Sequence, residues 1–210
     1  MGGCGAFGKL PAVGDFIRFG LPAGFVDPWD HWLQTGIAAA RDTLGGRWND
    51  CYLSAPIWRF SMAPGVVGGQ GMIGVLMASV DRVGRQFPLT LAVPCAPPHA
   101  ALHLNARPWF EQLEDIALSV LDDLPLEVLK TRLGDLPAPV APRVVTARGG
   151  TIVGGADDPA PLAAPHFAAP LIWSARTKAG LYLMQGDAPP QGAGFVALFD
   201  LDAPTWQAAA

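Results

Sequence analysis

The chain has 210 residues, half of them apolar and 15% charged, which excludes wholesale disorder and gives enough length to bury a substantial core. Its net charge is -4 with no basic run, which argues against a nucleic-acid partner, since phosphate neutralisation needs clustered Lys and Arg. Its three cysteines are odd in number and widely spaced, and they match neither a disulfide framework nor a zinc pattern.

The opening MGGCGAFGKL does not read as a secretory signal, and Ala6 stands where a myristoylation motif wants a hydroxyl. Uncharged apolar runs are cut by Pro or Gly before they reach spanning length, so no integral membrane segment is expected. A first strand is expected near Ala6 to Leu10, closed by Pro11. Gly14-Asp15 marks a turn, followed by apolar anchors at Phe16, Ile17 and Phe19. Asp27 reads as a helix cap, with Pro28 at the first helical position and Asp30 facing the exposed amides. Trp29, Trp32, Leu33, Gly36, Ile37, Ala40 and Leu44 then recur at helical spacing until Gly45-Gly46. Trp48 to Leu53 reads as a second, short helix.

Three strands follow. They are Ile57-Trp58-Arg59-Phe60, the doubly apolar Met72 to Val80, and Phe87 to Val93. Their two tight connections, PGVVGGQG and DRVGR, suggest an antiparallel or mixed sheet. Pro94 to Arg107 reads as a connector. Helices are expected around Trp109 to Leu124 and Leu126 to Leu133. The proline-rich segment 137–142 is the candidate subdomain boundary within a single domain over 1–210. Beyond it lie a long loop with a short strand near Thr151 to Val153, then strands at Leu171 to Trp173, Gly180 to Met184 and Phe195 to Phe199. Leu201 and Trp206 are expected to dock the tail. The fold class that results is α/β, a layered α/β/α domain with a mixed central sheet.

No catalytic constellation emerges. GKLP lacks the longer glycine loop and the hydroxyl of a phosphate loop. His99 and His103 share a spacing that could serve a metal, but no glutamate lies between them. Ser61, Ser79 and Ser174 have no assigned base, and Asp157-Asp158 reads as a solvated turn. No cofactor, metal or catalytic residue is assigned. Lys9 and Asp15 are expected to bridge their turn. Asp81, Arg82 and Arg85 form a compact charged group suited either to bracing a turn or to holding a partner's anionic group. The seven tryptophans belong mostly to a core, with one or two available as an interaction hot spot.

Four motifs taken together, GKLPxxGDF, WDxWLQ, PIWRF and SVDRVGRxFPLT, resemble the signature of the TagF family of accessory proteins of bacterial type VI secretion. The resemblance is firm over about residues 5 to 95 and looser beyond. It departs at Phe19, where the family often carries a second arginine after Arg18. The resemblance implies a cytosolic, non-enzymatic repressor that restrains assembly or firing of the apparatus after translation. It also implies a link to threonine phosphorylation and to a forkhead-associated scaffold, with recruitment to the inner-membrane complex through a partner. The candidate interaction or signature residues are Lys9, Asp15, Arg18, Trp29, Asp30, Trp32, Trp58, Arg59, Asp81, Arg82 and Arg85. Two alternatives stand beside this reading. One is a small-molecule or phosphoester enzyme using Asp15, Asp81, Arg82 and Arg85. The other is a structural subunit of the secretion machine.

Overall fold

A seven-stranded sheet divides the chain into two cores. The computed structural model describes residues 3–140, 143–147, 150–154 and 169–206. The strands are β1 (Gly5–Gly8), β2 (Ile17–Phe19), β3 (Trp58–Met62), β4 (Gly71–Met77), β5 (Leu89–Cys95), β8 (Leu171–Thr177) and β9 (Gly180–Gly186), in the order β2-β1-β5-β4-β3-β8-β9. Every ladder of this sheet is antiparallel. Two further strands, β6 (Arg143–Ala147) and β7 (Gly150–Gly154), form a separate antiparallel pair. The expected strand near Thr151 is β7, and its partner β6 is an addition to the expected elements.

Helices α1 (Ala23–Leu44), α2 (Trp48–Ser54) and α6 (Ala193–Val196) cover one face of the large sheet. Helices α3 (His99–Asn105), α4 (Arg107–Ser119) and α5 (Leu126–Asp135) cover the other. The layered α/β/α architecture expected from the sequence is therefore present. Strand β4 shows why its sequence lacks alternation. Met72 and Leu76 enter the first core while Ile73, Val75 and Met77 enter the second. Gly74 sits between them because a Cβ there would stand 2.2 Å from the Leu91 carbonyl oxygen of the neighbouring strand.

Three expectations are corrected. First, α1 begins at Ala23, not after Asp27. Phe25 and Val26 are buried and extend the apolar stripe by one turn, and Pro22 is the N-cap, its carbonyl accepting from the Phe25 and Val26 amides. Pro28 is consequently inside the helix. It cannot donate to the Gly24 carbonyl, and Gly68 packs over that oxygen, where a Cβ would come within 2.4 Å. Asp27 is exposed and pairs with Arg18 at 2.8 Å, tying α1 to β2. Second, Phe195 to Phe199 is not a strand. Its first two residues end α6, and the remainder continues in hydrogen-bonded turns, all of it buried. A short continuous apolar run carries no period that separates a strand from a buried helical turn. Third, the connector after Pro94 contains α3, whose Ala101, Leu102 and His103 are buried.

The tryptophans serve the core. Trp29, Trp48, Trp58, Trp109 and Trp173 are buried, and Trp29, Trp32, Phe60, Trp173 and Phe195 form a connected aromatic cluster. The tail docks as expected, with Trp206 stacked on Trp58 at 5.5 Å and Leu201 packed against the first core. Gly36 sets the approach of α1 to α6, because a Cβ there would fall 2.3 Å from the buried Phe195 ring. Gly36→Ala is therefore expected to destabilise by about 1–2 kcal/mol, since overpacking outweighs the gain of about 1 kcal/mol in helix propensity. Urea unfolding checks this, with a lower midpoint at unchanged m as the expected outcome.

Candidate functional site

Two loops that carry signature residues meet at one end of the sheet. One follows β1 and runs from Lys9 to Phe16. The other, Asp81 to Arg85, connects β4 to β5. Local chemistry shapes the second loop. Asp81 accepts through one carboxylate oxygen from the backbone N–H groups of Val83 (3.0 Å) and Arg85 (2.9 Å). Gly84 supplies the positive φ of 81° that the turn requires.

The other carboxylate oxygen of Asp81 joins the loops. It lies 3.0 Å from Lys9 Nζ and 2.6 Å from Arg85 Nε. The Asp81 side chain is fully buried and that of Lys9 is 9% exposed. Lys9 therefore pairs with Asp81 and not, as the sequence reading expected, with Asp15. Asp15 is exposed and accepts from the Phe16 backbone N–H at 2.7 Å. Asp15 is the carboxylate nearer along the chain, but the pairing of β1 with β5 brings Asp81 to the ammonium.

Three further hydrogen bonds close the seam. Arg82 donates its backbone N–H to the Val13 carbonyl (3.2 Å) and a guanidinium N–H to the Ala12 carbonyl (2.7 Å), while Arg85 donates to the Gly14 carbonyl at 2.9 Å. Phe16 packs edge-on against Phe87 at 4.7 Å, with Lys9 Nζ 5.1 Å from its ring centroid.

Burial alone would raise the Asp81 pKa. The Arg85 amide, the Lys9 ammonium, the Arg85 guanidinium and the Val83 amide together overcome that, and hold its carboxyl well below the ordinary carboxylate range. Asp81 is thus ionised and saturated with donors, which leaves it no capacity for proton transfer. What the two loops offer a partner is their outer surface. Val83 is 71% exposed and Phe16 43%, and the exposed Arg82 and Arg85 flank them. This is an apolar tip with a cationic rim, held rigid from below.

The other signature residues are dispersed. Trp29 is buried and donates to Thr90 Oγ1 at 2.9 Å, Trp32 donates to the Pro190 carbonyl at 2.8 Å, and Trp58 donates to the Leu198 carbonyl at 2.6 Å. Asp30 accepts from Gln34 one helical turn later. Arg59 makes a bidentate pair with Glu114 at 2.6 and 2.7 Å. These residues brace the fold, and among the described residues Asp15 makes no salt bridge with Arg82 or Arg85, while Asp81 is taken up by Lys9 and Arg85.

One buried pair has no signature in the sequence. Ser174 Oγ lies 2.8 Å from His103 Nε2, both residues being buried. The His103 Nδ1 has no hydrogen-bond partner, so nothing orients the ring as a general base. Burial, aided by Arg59 and His99, lowers the His103 pKa to about 3, so the imidazole is neutral at physiological pH. His99 turns away to the Ala169 carbonyl. Among the described residues no group of three or more His, Cys, Asp or Glu is placed to hold a metal ion. Also among them, no helix is long and apolar enough to cross a membrane. The expectation for Asp157-Asp158 lies outside the described residues.

Residues 5–136 match the family described as "TagF N-terminal domain, Type VI secretion system-associated". Among solved structures, PA0076 from Pseudomonas aeruginosa PAO1 is similar at 36% sequence identity, with a TM-score of 0.78 and 93% of each chain covered. No curated protein matches the chain.

Proposed function

We propose that this chain, which belongs to the TagF family of type VI secretion system-associated proteins, restrains the secretion apparatus by occupying a component of it through the paired-loop surface. Family membership makes the chain a non-enzymatic accessory protein with a regulatory role. The partner and the mode of restraint are the proposal. The partner we favour is the forkhead-associated scaffold, or a membrane-complex component bound to it, met in the cytoplasm and followed to the inner-membrane complex. All of residues 1–210 act in this as one unit, which is supported by β8, from beyond 137–142, pairing with β3.

One observation carries this reading. Asp81 and Lys9 are spent on holding two family-type loops together, while Val83 and the two arginines of the same turn face outward. A buried ion pair is a costly way to fasten a surface turn, but it fixes one arrangement of the apolar tip and its cationic rim. Rigid presentation of such a tip lowers the ordering cost of binding. Deleting the gene in cells that express the apparatus is expected to raise secretion without changing component levels. Unchanged secretion from an intact, expressed apparatus would overturn the proposal.

A further inference from the structure

The opposite edge of the sheet presents a different chemistry. The edge strand β2 has three residues with Arg18 at its centre, a short and charged edge of the kind that resists pairing. The other edge strand, β9, has seven residues, Gly-Leu-Tyr-Leu-Met-Gln-Gly, with no charge and no proline. Among the described residues no strand pairs with its outer side. Leu181 is 58% exposed. Alternate β9 residues point backbone N–H and C=O groups away from β8, ready to accept another strand.

A pocket of about 190 Å³ opens beside this edge, with Leu181 and Leu183 in its wall. Across the ladders, Arg176 stands opposite Leu181, and Arg59, Ser174 and Leu183 form the neighbouring row. Arg107 of α4 completes the cationic lining. Two of the three guanidiniums are matched, Arg59 by Glu114 and Arg107 by Glu111, the latter at 2.7 Å. Arg176 makes no salt bridge among the described residues. Glu111, held by Arg107, feels the charge of Arg176 without bonding to it, and the His103–Ser174 pair at the pocket supplies no counter-charge.

We propose that β9 and this pocket together bind an extended segment of a partner protein that adds as an eighth strand and places a glutamate beside Arg176. The edge supplies main-chain pairing, and the pocket supplies the choice of side chain. A guanidinium without a salt bridge among the described residues calls for an anion, and Leu181 and Leu183 call for aliphatic neighbours at alternate positions. A residue opposite Leu181 on the added strand lies two strand spacings, roughly 9.6 Å, from the Arg176 backbone. A glutamate and an arginine together span that distance. This surface is separate from the paired loops and does not depend on their role.

The test uses the full chain and three blocked heptapeptides, Thr-Val-Thr-X-Thr-Val-Thr, with Glu, Gln or Lys at X. Calorimetry is expected to show the Glu peptide binding about tenfold or more tighter than the Gln peptide, with the Lys peptide weakest. Hydrogen exchange is expected to show the outward-facing amides of β9 exchanging quickly in the free chain and slowly with the Glu peptide. Arg176→Gln, an exposed substitution that leaves the thermal midpoint unchanged, is expected to erase the Glu-over-Gln preference. The proposal is overturned by equal binding of the three peptides, by no binding at about 1 mM, or by an Arg176→Gln variant that keeps the preference. Outward amides of β9 already protected in the free chain would show the edge to be occupied and would overturn it equally.

Discussion

Asp81→Asn is expected to lower the thermal midpoint at pH 7 by on the order of 10 °C. The amide keeps the shape of the side chain and can still accept from the Val83 and Arg85 backbone N–H groups. Its NH2 group, however, meets donors at Lys9 or Arg85, and the nearly buried Lys9 ammonium loses its counter-charge. The control is Arg85→Gln. That side chain is 62% exposed, so water can replace its share of the pair, and a shift of a few degrees at most is expected. Equal losses in the two variants would contradict the claim that the buried Lys9–Asp81 contact fastens the loops.

The same carboxylate gives the effect a pH dependence of definite sign. The folded pKa of Asp81 lies below its unfolded value of about 3.9, so the folded state binds fewer protons in that range. Its stabilisation is complete above about pH 5 and drains away as the pH falls through the unfolded and then the folded pKa. The gap between wild type and Asp81→Asn should therefore be constant from neutrality down to about pH 5 and narrow below it. Thermal melts across that range check this, and a gap that widened on acidification would reverse the assignment.

Val83→Glu is expected to behave oppositely, sparing the fold and removing the function. Val83 is 71% exposed, so the substitution should leave the thermal midpoint unchanged. In cells it should reproduce the gene deletion, with secretion raised and the protein at its normal level. The reason is that an acid replaces the apolar tip between Arg82 and Arg85, and a partner chosen by that cationic rim then meets a cancelled charge. Wild-type restraint by Val83→Glu would move the functional surface away from these loops.

Legibility in the sequence followed how local the determining forces were. The long apolar stripe of α1, the stop at Gly45, the hairpin around PGVVGGQG and the doubly buried β4 are written in period and turn chemistry, and they were readable. The start of α1 was not. A proline immediately before Trp29 and a preceding aspartate imitate a helix N-terminus, whereas the burial of Phe25 and Val26, a tertiary event, sets the real one. The Phe195 to Phe199 run imitates a strand because complete burial erases any period.

At the site, DRVGR was recognisable as a braced turn. Its bracing partner was not, since Lys9 reaches Asp81 across 72 positions of sequence through the β1–β5 register. The His103–Ser174 contact was likewise hidden, joining a helix in an unassigned connector to a strand about seventy residues later. Neither pairing leaves a trace in spacing.

The most direct test of the central claim is binding between purified proteins. The full chain, its Val83→Glu variant and its Asp81→Asn variant would each be titrated into the forkhead-associated scaffold of the same organism. The wild-type chain is expected to bind stoichiometrically. Val83→Glu should lose at least about tenfold in affinity while melting like wild type, and Asp81→Asn should lose affinity in step with its stability. Undiminished binding by Val83→Glu, or no binding by the wild-type chain, would contradict the account.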